Sequence, residues 1–242
     1  MKIKELSIIF PIYNEEKRLK KNLNKLLKLF KPFNPINFEI ILVNDGSTDN
    51  TNNIITTFLK SINNKYKKKI FYIYYKNNRG KGFALKKGVN SAKKKWILTC
   101  DIDFSANPIE ILKWEKLNYI KNDKWCYFGS RKLKNSVIKY KYYRRLVGEI
   151  FTLLIYFMFN LSIRDTQCGF KLYNKNYAKK IFNQLVENGY AHDVEIAVLL
   201  KKKLIKIIEL PIKWTHEEES NVNIFYDGII MIIKLILIKI RH

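Results

Sequence analysis

The chain has 242 residues, of which 47% are hydrophobic and 28% charged, and this globular composition excludes a disordered, a fibrous or a small disulfide-stapled protein. Lys and Arg number 46 against 21 Asp and Glu, so the formal net charge is +25, which makes nucleic acid, phosphorylated small molecules and anionic lipid surfaces candidate partners. The three cysteines have no CxxC spacing, so neither a disulfide framework nor a zinc knuckle is indicated, and a reducing compartment fits best.

Short apolar runs alternate with helical periodicities through the first hundred residues. The patterns predict strands at residues 6–12, 38–43, 70–75 and 96–100, and helices at residues 16–30, from 49 or 51 to about 62, and at 80–92. Buried strands that alternate with helices are typical of an α/β fold with a mostly parallel central sheet covered by helices on both faces. Ligands of such sheets bind beyond the carboxyl ends of the strands, so the chemical groups should follow the strands directly.

The second half of the chain has a mixed pattern. A helix is predicted at residues 109–122, a strand at 125–129, a basic segment up to 145 and a helix through 159. Because no repeat or low-complexity linker interrupts the chain, we expect one domain at 1–223, divided into a nucleotide-binding half (1–105) and an acceptor half (106–223). Residues 224–242 then form an apolar and basic C-terminal helix that could lie on a membrane or bind a partner subunit, including a second copy of the chain.

Two apolar stretches are long enough to raise the question of a membrane span. Residues 151–163 are too few to cross a bilayer of about 30 Å, and residues 224–240 are interrupted by Lys234 and Lys239. The N-terminus goes straight into a strand pattern without the features of a secretory leader. We therefore expect a cytoplasmic protein that associates peripherally with the membrane.

The most distinctive feature is the pair Asp101 and Asp103, which directly follows the predicted fourth strand. In an extended chain alternate side chains share a face, so both carboxylates could enter one site and hold Mg²⁺ or Mn²⁺ together with substrate phosphates. The alternative is that the two aspartates cap the next helix or face solvent. A metal at this position would imply a diphosphate substrate.

Two further segments follow predicted strands or begin helices. Asp45 could accept hydrogen bonds from a base or a ribose hydroxyl, although the residues after it also describe an ordinary turn and helix cap. Arg79 and Lys81 are suitable counter-ions for phosphate near a helix start, although their glycines match neither a Walker loop nor a dinucleotide fingerprint.

Four motifs in chain order, at residues 10–16, 43–49, 78–82 and 101–103, resemble the signatures of glycosyltransferase family 2, the nucleotide-sugar transferases of the GT-A fold. Motifs at residues 129–131, 165–172, 193–196 and 210–214 narrow the resemblance to the dolichyl-phosphate β-glucosyltransferases and other polyprenyl-phosphate transferases. The similarity covers nearly the whole chain. It implies an α/β GT-A fold whose second half binds the acceptor.

The resemblance also implies roles for individual residues. Asp101 would contact ribose or the metal, and Asp103 would be the principal ligand of Mg²⁺ or Mn²⁺ on the diphosphate. Arg131 matches an arginine that related lipid-phosphate transferases place near phosphate. The remaining positions expected to bind the nucleotide sugar are Pro11, Tyr13, Glu15, Asp45 and Lys81. Asp45 would be the partner of the uracil ring.

The mechanism expected from these roles is an inverting transfer of glucose from UDP-glucose, with the metal and nearby cations stabilising the diphosphate leaving group. A lipid-phosphate acceptor is already an anion and hardly needs a base. A sugar hydroxyl would need one, and the candidates are Asp165 and Asp193, with Asp193 preferred; either could instead cap a turn or helix. Arg144 and Arg145 are the expected ligands of the acceptor phosphate, beside an apolar segment suited to an anionic leaflet.

We expect the sequence to depart from the resembled enzymes in two respects: no N-terminal membrane-spanning helix is predicted, and residues Glu219, Ser220 and Asn221 stand where Gly-Ser-Lys is common. Three alternatives therefore stay open: a family 2 transferase acting on a saccharide or envelope-glycan hydroxyl, a basic nucleic-acid-binding module, and a catalytically silent scaffold. The nucleic-acid reading is disfavoured, because the basic residues are spread along the chain without a recognised binding motif.

Overall fold

The structure, a computed structural model, describes residues 2–139, 142–215 and 224–242, with side chains described for all of these except 139, 142–147 and 224–229. In chain order the helices and strands are β1 Glu5–Ile12, α1 Glu16–Lys28, β2 Asn37–Asp45, α2 Thr51–Ser61, α3 Asn64–Lys67, β3 Ile70–Tyr75, α4 Lys81–Ser91, β4 Trp96–Thr99, α5 Glu110–Lys116, β5 Cys126–Ser130, β6 Val137–Lys139, α6 Tyr142–Phe159, β7 Lys171–Asn174, α7 Lys175–Gln184, α8 His192–Lys202, β8 Ile207–Pro211, β9 Lys213–Thr215 and α9 Ile224–Arg241.

Seven strands form the central sheet in the order β3-β2-β1-β4-β7-β5-β8. Strand β7 runs antiparallel to both of its neighbours, and the other pairs are parallel, which confirms the predicted mostly parallel sheet. The carboxyl ends of β1, β2, β4 and β5 therefore meet the first residue of β7 at one edge. This edge carries the candidate site.

Both faces of the sheet are buried because successive side chains of each strand point to opposite sides. Ile8 and Ile40 belong to the core that helix α1 covers, whereas Ile9 and Ile41 belong to the core on the other face. Helix α4 covers that second face, and it packs closely on β1 because Gly88 has no side chain to collide with Ile9. The close packing fixes the position of the α4 N-terminus at the site edge.

The predicted strands of the first half are confirmed within one or two residues at each end. The predicted helix at residues 109–122 is too long, because α5 ends at Lys116 and the chain turns at Asn118, which has a φ of +52°. The backbone amides of Lys121 and Asn122 then donate to the Tyr127 hydroxyl, both over 2.9 Å. Helix α3, strands β6 to β9 and helix α7 were not predicted.

Helices α6 and α9 pack on α8 at the far side of the second half. Ile155 and Phe159 of α6 are buried with Leu235 and Ile238 of α9. Within the described ranges, no helix combines the length and apolarity that a bilayer-spanning helix requires. Strands β6 and β9 form a small parallel sheet in the second half of the chain, and an isolated bridge joins its Trp214 to Ala106, close to the Asp101–Asp103 turn.

Candidate active site

The fold brings the charged residues of distant motifs to one edge of the central sheet. Asp101 and Asp103 follow β4, Arg131 follows β5, Lys171 begins β7, and Asp193 lies in the first turn of α8. Strand β7 contributes its first residue to this edge because it runs antiparallel to β4. This residue, Lys171, pairs with Thr99 at the end of β4.

Asp101 is held by the lysine at the start of α4. Lys81 Nζ lies 2.7 Å from Asp101 Oδ1. Burial alone would raise the pKa of Asp101, but the positive charges of Lys81, Lys171 and Arg131 outweigh it, and the pKa of the carboxyl falls below its ordinary value. Asp101 is therefore a carboxylate whose negative charge is stabilised by three nearby cations.

Asp103 has the opposite electrostatics. Burial and the neighbouring charge of Asp101 raise the pKa of Asp103 above its ordinary value. The sequence suggested that both side chains project from an extended strand. They do not, because β4 ends at Thr99 and residues 101–104 form a turn, in which the Phe104 amide donates to the Asp101 carbonyl over 3.2 Å. Asp103 Oδ1 accepts the Ser105 amide over 2.8 Å and thereby fixes this turn.

These two carboxylates fit a divalent cation. Their oxygens are the hard donors that Mg²⁺ and Mn²⁺ prefer, and one or two protein carboxylates are the usual number at a site that also binds phosphate. A cation between them would relieve the repulsion that raises the pKa of Asp103. No group of three or more metal-binding side chains occurs within the described part of the chain, so most of the coordination would be left to phosphate and water.

Asp45, at the end of β2, accepts hydrogen bonds from the loop after β3. Its Oδ1 accepts the Tyr75 hydroxyl over 2.6 Å and the Arg79 amide over 3.0 Å, and its Oδ2 accepts the Gly80 amide over 2.8 Å and Asn78 Nδ2 over 3.0 Å. Four bonds fill the acceptor capacity of a carboxylate. A uracil ring could use Asp45 only by displacing one of these donors.

The residues of the first motif lie at the end of β1. Tyr13 is 43% exposed and could cover a ligand, whereas Pro11 is half-buried opposite Val43 of β2. The Glu15 carboxylate receives Nε and Nη2 of Arg18, and the Glu15 amide donates to Thr51 Oγ1 over 2.8 Å. Glu15 is therefore engaged in holding α1 against α2, and its predicted contact with a nucleotide stays a prediction.

Arg131 and Asp165 form a second ion pair, between the end of β5 and the loop before β7. Asp165 is 3% exposed and accepts Nε, Nη2 and the backbone amide of Arg131, each over 2.8 Å. Burial would raise the pKa of Asp165, but the Arg131 charge and these bonds lower it. Glu209 of β8 fixes the loop by accepting the Asp165 amide over 2.9 Å.

Asp193 forms the third ion pair, with a lysine that the sequence analysis did not single out. Lys171 is 1% exposed, and its Nζ contacts Asp193 Oδ1. Burial would raise the pKa of Asp193, but the charges of His192, when protonated, and of Lys171 and Lys81 lower it. A lysine inside an otherwise apolar strand pattern was the one sequence signal that could have identified Lys171.

Arg144 and Arg145 lie in helix α6, but their side chains are outside the described residues. Their predicted contact with an acceptor phosphate stays a prediction. The same holds for residues 219–221, which are also outside the described ranges.

The site as a whole collects four carboxylates and three cations. The carboxylates are Asp101, Asp103, Asp165 and Asp193, and the cations are Lys81, Arg131 and Lys171. The cluster carries one net negative charge, so a divalent cation would make it positive and attractive to a diphosphate. This charge balance suits the binding of a metal ion together with a nucleoside diphosphate.

Comparison with known proteins places this arrangement in context. The sequence profile described as glycosyl transferase family 2 matches residues 7–182. The dolichyl-phosphate beta-glucosyltransferase of Homo sapiens is 33% identical over 249 residues, which cover 99% of this chain and 76% of that protein. The enzyme of the same name from Saccharomyces cerevisiae is 31% identical over 98% of this chain and 75% of its own length.

Solved structures share the fold at low sequence identity. Glucosyl-3-phosphoglycerate synthase from Mycobacterium tuberculosis, in complex with Mn²⁺, uridine diphosphate and glucosyl-3-phosphoglycerate, aligns with a TM-score of 0.66 at 13% identity, over 98% of this chain and 80% of that one. A mannosyltransferase from Pyrobaculum calidifontis, in complex with GDP-mannose and Mn²⁺, aligns with a TM-score of 0.61 at 12% identity, over 97% of this chain and 62% of that one. The predicted GT-A fold is confirmed.

Proposed function

The chain belongs to glycosyl transferase family 2, and from that premise we propose that it transfers glucose from UDP-glucose to dolichyl or another polyprenyl phosphate with inversion at the sugar. The observation that carries the proposal is the near full-length similarity to dolichyl-phosphate beta-glucosyltransferases of organisms as distant as Homo sapiens and Saccharomyces cerevisiae. The charges at the sheet edge agree with it, because both proposed substrates bring phosphate to the site.

The donor would bind along the ends of β1, β2 and β4. Asp101 and Asp103 would hold Mg²⁺ or Mn²⁺, which when bound neutralises charge on the diphosphate leaving group. Lys81 would add a permanent positive charge, since Asp101 and Asp193 keep its pKa above the ordinary value despite burial. Tyr13 and Asp45 would line the nucleoside side of the donor site. Asp45 would contribute by holding the loop after β3, with which it forms four hydrogen bonds.

The acceptor would approach from the side of Arg131. A phosphate monoester has a second pKa of about 6, so near neutral pH it attacks as an anion and needs no proton acceptor. The state of the two predicted bases agrees with such an acceptor, because Asp165 is occupied by Arg131 and Asp193 by Lys171. A saccharide or glycan hydroxyl as acceptor is the alternative, and it would require one of these carboxylates to leave its cation.

We further propose that an anionic bilayer covers the outer faces of α6 and α9. Ile150, Leu153 and Phe157 on α6 are between 57% and 80% exposed and recur at helical spacing. The matching stripe on α9 consists of Ile233, Ile236 and Ile240, between 48% and 77% exposed.

Charge distinguishes the bilayer from a second copy of the chain as the partner of this face. Two copies that each carry +25 repel one another, whereas an anionic leaflet attracts them. Basic residues border the face: Lys201 donates to the Asn160 carbonyl over 2.7 Å, and Lys239 lies 5.9 Å from the centre of the Phe159 ring. The helices would lie in the interface on the cytoplasmic side of the membrane.

The transfer reaction tests the proposal directly. Purified protein is incubated with radiolabelled UDP-glucose, Mn²⁺ and a short polyprenyl phosphate, and the label that becomes extractable into organic solvent is counted. We expect metal-dependent extractable product, loss of more than about 100-fold in Asp103→Asn, and normal turnover in the control Asp123→Asn, whose carboxylate pairs with Lys95 on the surface. Water-soluble product would favour the hydroxyl acceptor, and turnover with other nucleotide sugars but not UDP-glucose would overturn the proposed donor.

A flotation assay tests the membrane face. Wild-type protein should float with vesicles containing anionic lipid and remain unbound with neutral vesicles, and the double substitution Phe157→Ser/Ile240→Ser should weaken binding at least about tenfold. Equal recovery of variant and wild type, or concentration-dependent dimers in sedimentation that the two substitutions abolish, would contradict the bilayer as the partner.

A further inference from the structure

Three groups surround the Asp193 carboxylate inside the protein. Lys171 Nζ contacts Oδ1, and Nε2 of His192 lies 3.4 Å from the same oxygen. The charge of Lys81, on helix α4, also acts on Asp193. All three neighbours and Asp193 itself are buried or half-buried, so their mutual orientation is set by the protein and not by solvent.

His192 does not supply the stabilising charge near neutral pH. Its Nδ1 lies 2.7 Å from the Gly189 carbonyl, which can only accept, so Nδ1 carries the hydrogen and Nε2 of the neutral ring presents a lone pair to Oδ1. Nε2 has no hydrogen-bond partner among the described residues. Burial lowers the pKa of His192, which keeps the ring neutral. Lys171 is therefore the group that compensates Asp193.

Packing alone does not explain why a lysine occupies position 171. It begins the one antiparallel strand of the central sheet and is 1% exposed, with its Nζ 5.0 Å from the centre of the Phe128 ring. A lysine at such a position has a high desolvation cost unless it meets a carboxylate. An apolar residue would fill a strand position in this core equally well, so the ammonium group itself requires an explanation.

We propose that Lys171 is a positioning residue: its ammonium group fixes the orientation of the buried Asp193 carboxylate, and transfer requires this oriented negative charge. The inference rests on the proposed function, since it concerns the same acceptor side. Lys171 Nζ contacts Oδ1 of Asp193, and both side chains are buried, so solvent does not compete for this contact.

The pH dependence of transfer tests whether Lys171 keeps Asp193 in its charged form. The titratable groups that face Asp193 are Lys171 and Tyr173 of β7, Lys81 of α4 and His192 of α8 itself. In Lys171→Met the buried carboxylate has lost its partner and should protonate at higher pH, so kcat should fall at least about tenfold and the profile should gain an acidic limb. Lys171→Arg keeps the charge and should keep the wild-type shape of the profile. The control Lys180→Met removes an exposed lysine and should change neither.

A second measurement covers the case in which Lys171→Met fails to fold. The double variant Lys171→Met/Asp193→Asn contains no unpaired buried charge and should fold, yet its kcat should stay at least about tenfold below that of the wild type with little change in the KM for UDP-glucose. Wild-type kcat in the double variant would show that the pair is only structural and would overturn the inference. So would an unchanged pH profile in folded Lys171→Met.

Failure of the proposed function is distinguishable from failure of this inference. If the wild type transfers no sugar to a polyprenyl phosphate, the carboxyl ¹³C resonance of Asp193 can be titrated by NMR without any substrate. In the wild type and in Lys171→Arg, the resonance should stay that of a carboxylate down to a lower pH than in Lys171→Met. It should also do so to a lower pH than in a short unfolded peptide that contains Asp193. Equal titration midpoints in wild type and Lys171→Met would overturn the inference independently of activity.

Discussion

Arg131 and Asp165 face each other with two parallel hydrogen bonds, from Nε to Oδ2 and from Nη2 to Oδ1, each 2.8 Å long. The Arg131 amide adds a third bond to Oδ2, so the end of β5 and the loop before β7 are joined through one carboxylate. This geometry fixes the plane of the guanidinium, whose carbon lies 5.5 Å from the centre of the Trp214 ring. This part of the candidate site is therefore shaped by an ion pair between two segments that are 34 residues apart.

This ion pair should contribute measurably to stability. Asp165→Asn removes the charge and replaces one acceptor oxygen by a donor, so we expect the free energy of unfolding to fall by about 1.5–3 kcal/mol, as measured by urea denaturation. The matched control is Asp123→Asn, whose pair with Lys95 is 3.0 Å long but about half exposed, and there the loss should stay below about 1 kcal/mol. Equal losses in the two variants would contradict the assigned difference.

Gly169 should be essential to the position of the Asp101 carboxylate, one of the two candidate metal ligands. A Cβ at this position would lie 2.5 Å from Asp101 Oδ2, so Gly169→Ala must displace the Asp101 carboxylate. We expect manganese-dependent binding of uridine diphosphate, measured by calorimetry, to weaken at least about tenfold. The control is Gly148→Ala in helix α6, where a Cβ meets nothing within 4 Å and alanine should raise stability by up to about 1 kcal/mol. Normal binding by Gly169→Ala would show that Asp101 does not take part.

Stability should decline in acid through Asp165. Its pKa in the folded protein is lower than the ordinary value of 3.8, so as the pH falls the unfolded chain binds the proton first. The stabilisation is complete above pH of about 5 and is lost as the pH falls from there through the folded pKa. Asp103 acts in the opposite sense, because its raised pKa means that the folded chain protonates first. We expect urea midpoints to fall between pH 5 and pH 3, and to fall less in Asp165→Asn. An identical decline in both proteins would exclude Asp165 as the cause.

Helix α9 should depend on one buried glutamate of α8. Glu195 is fully buried, its Oε2 accepts the Glu187 amide over 2.6 Å, and its Oε1 receives His242 Nε2 over 2.9 Å and Arg241 Nη1 over 3.3 Å. Glu195→Gln replaces an acceptor by a donor, and we expect a loss of about 1–3 kcal/mol with faster hydrogen exchange in α9. Glu5→Gln, at an exposed strand end, should leave both unchanged. Unaltered exchange in α9 would refute the assigned contact.

The sequence by itself determined the first half of the sheet and the position of Asp101 and Asp103, the candidate metal ligands, directly after a strand. Apolar runs at residues 6–12, 38–43 and 96–100 predict buried strands, because each is short and bounded by a helical pattern. These runs also predict where each strand ends, and therefore which polar residues lie directly after it. These features depend on local order along the chain, and the resemblance of the motifs added the chemistry.

Only the tertiary structure decided which charges neutralise which. The partners Lys171 and Asp193 are separated by 22 residues, and Arg131 and Asp165 by 34. The antiparallel insertion of β7 between β4 and β5 creates the first of these contacts, and no periodicity in the sequence encodes where a strand enters a sheet. An ion pair forms where desolvation and distance make it favourable, and both are properties of the folded arrangement.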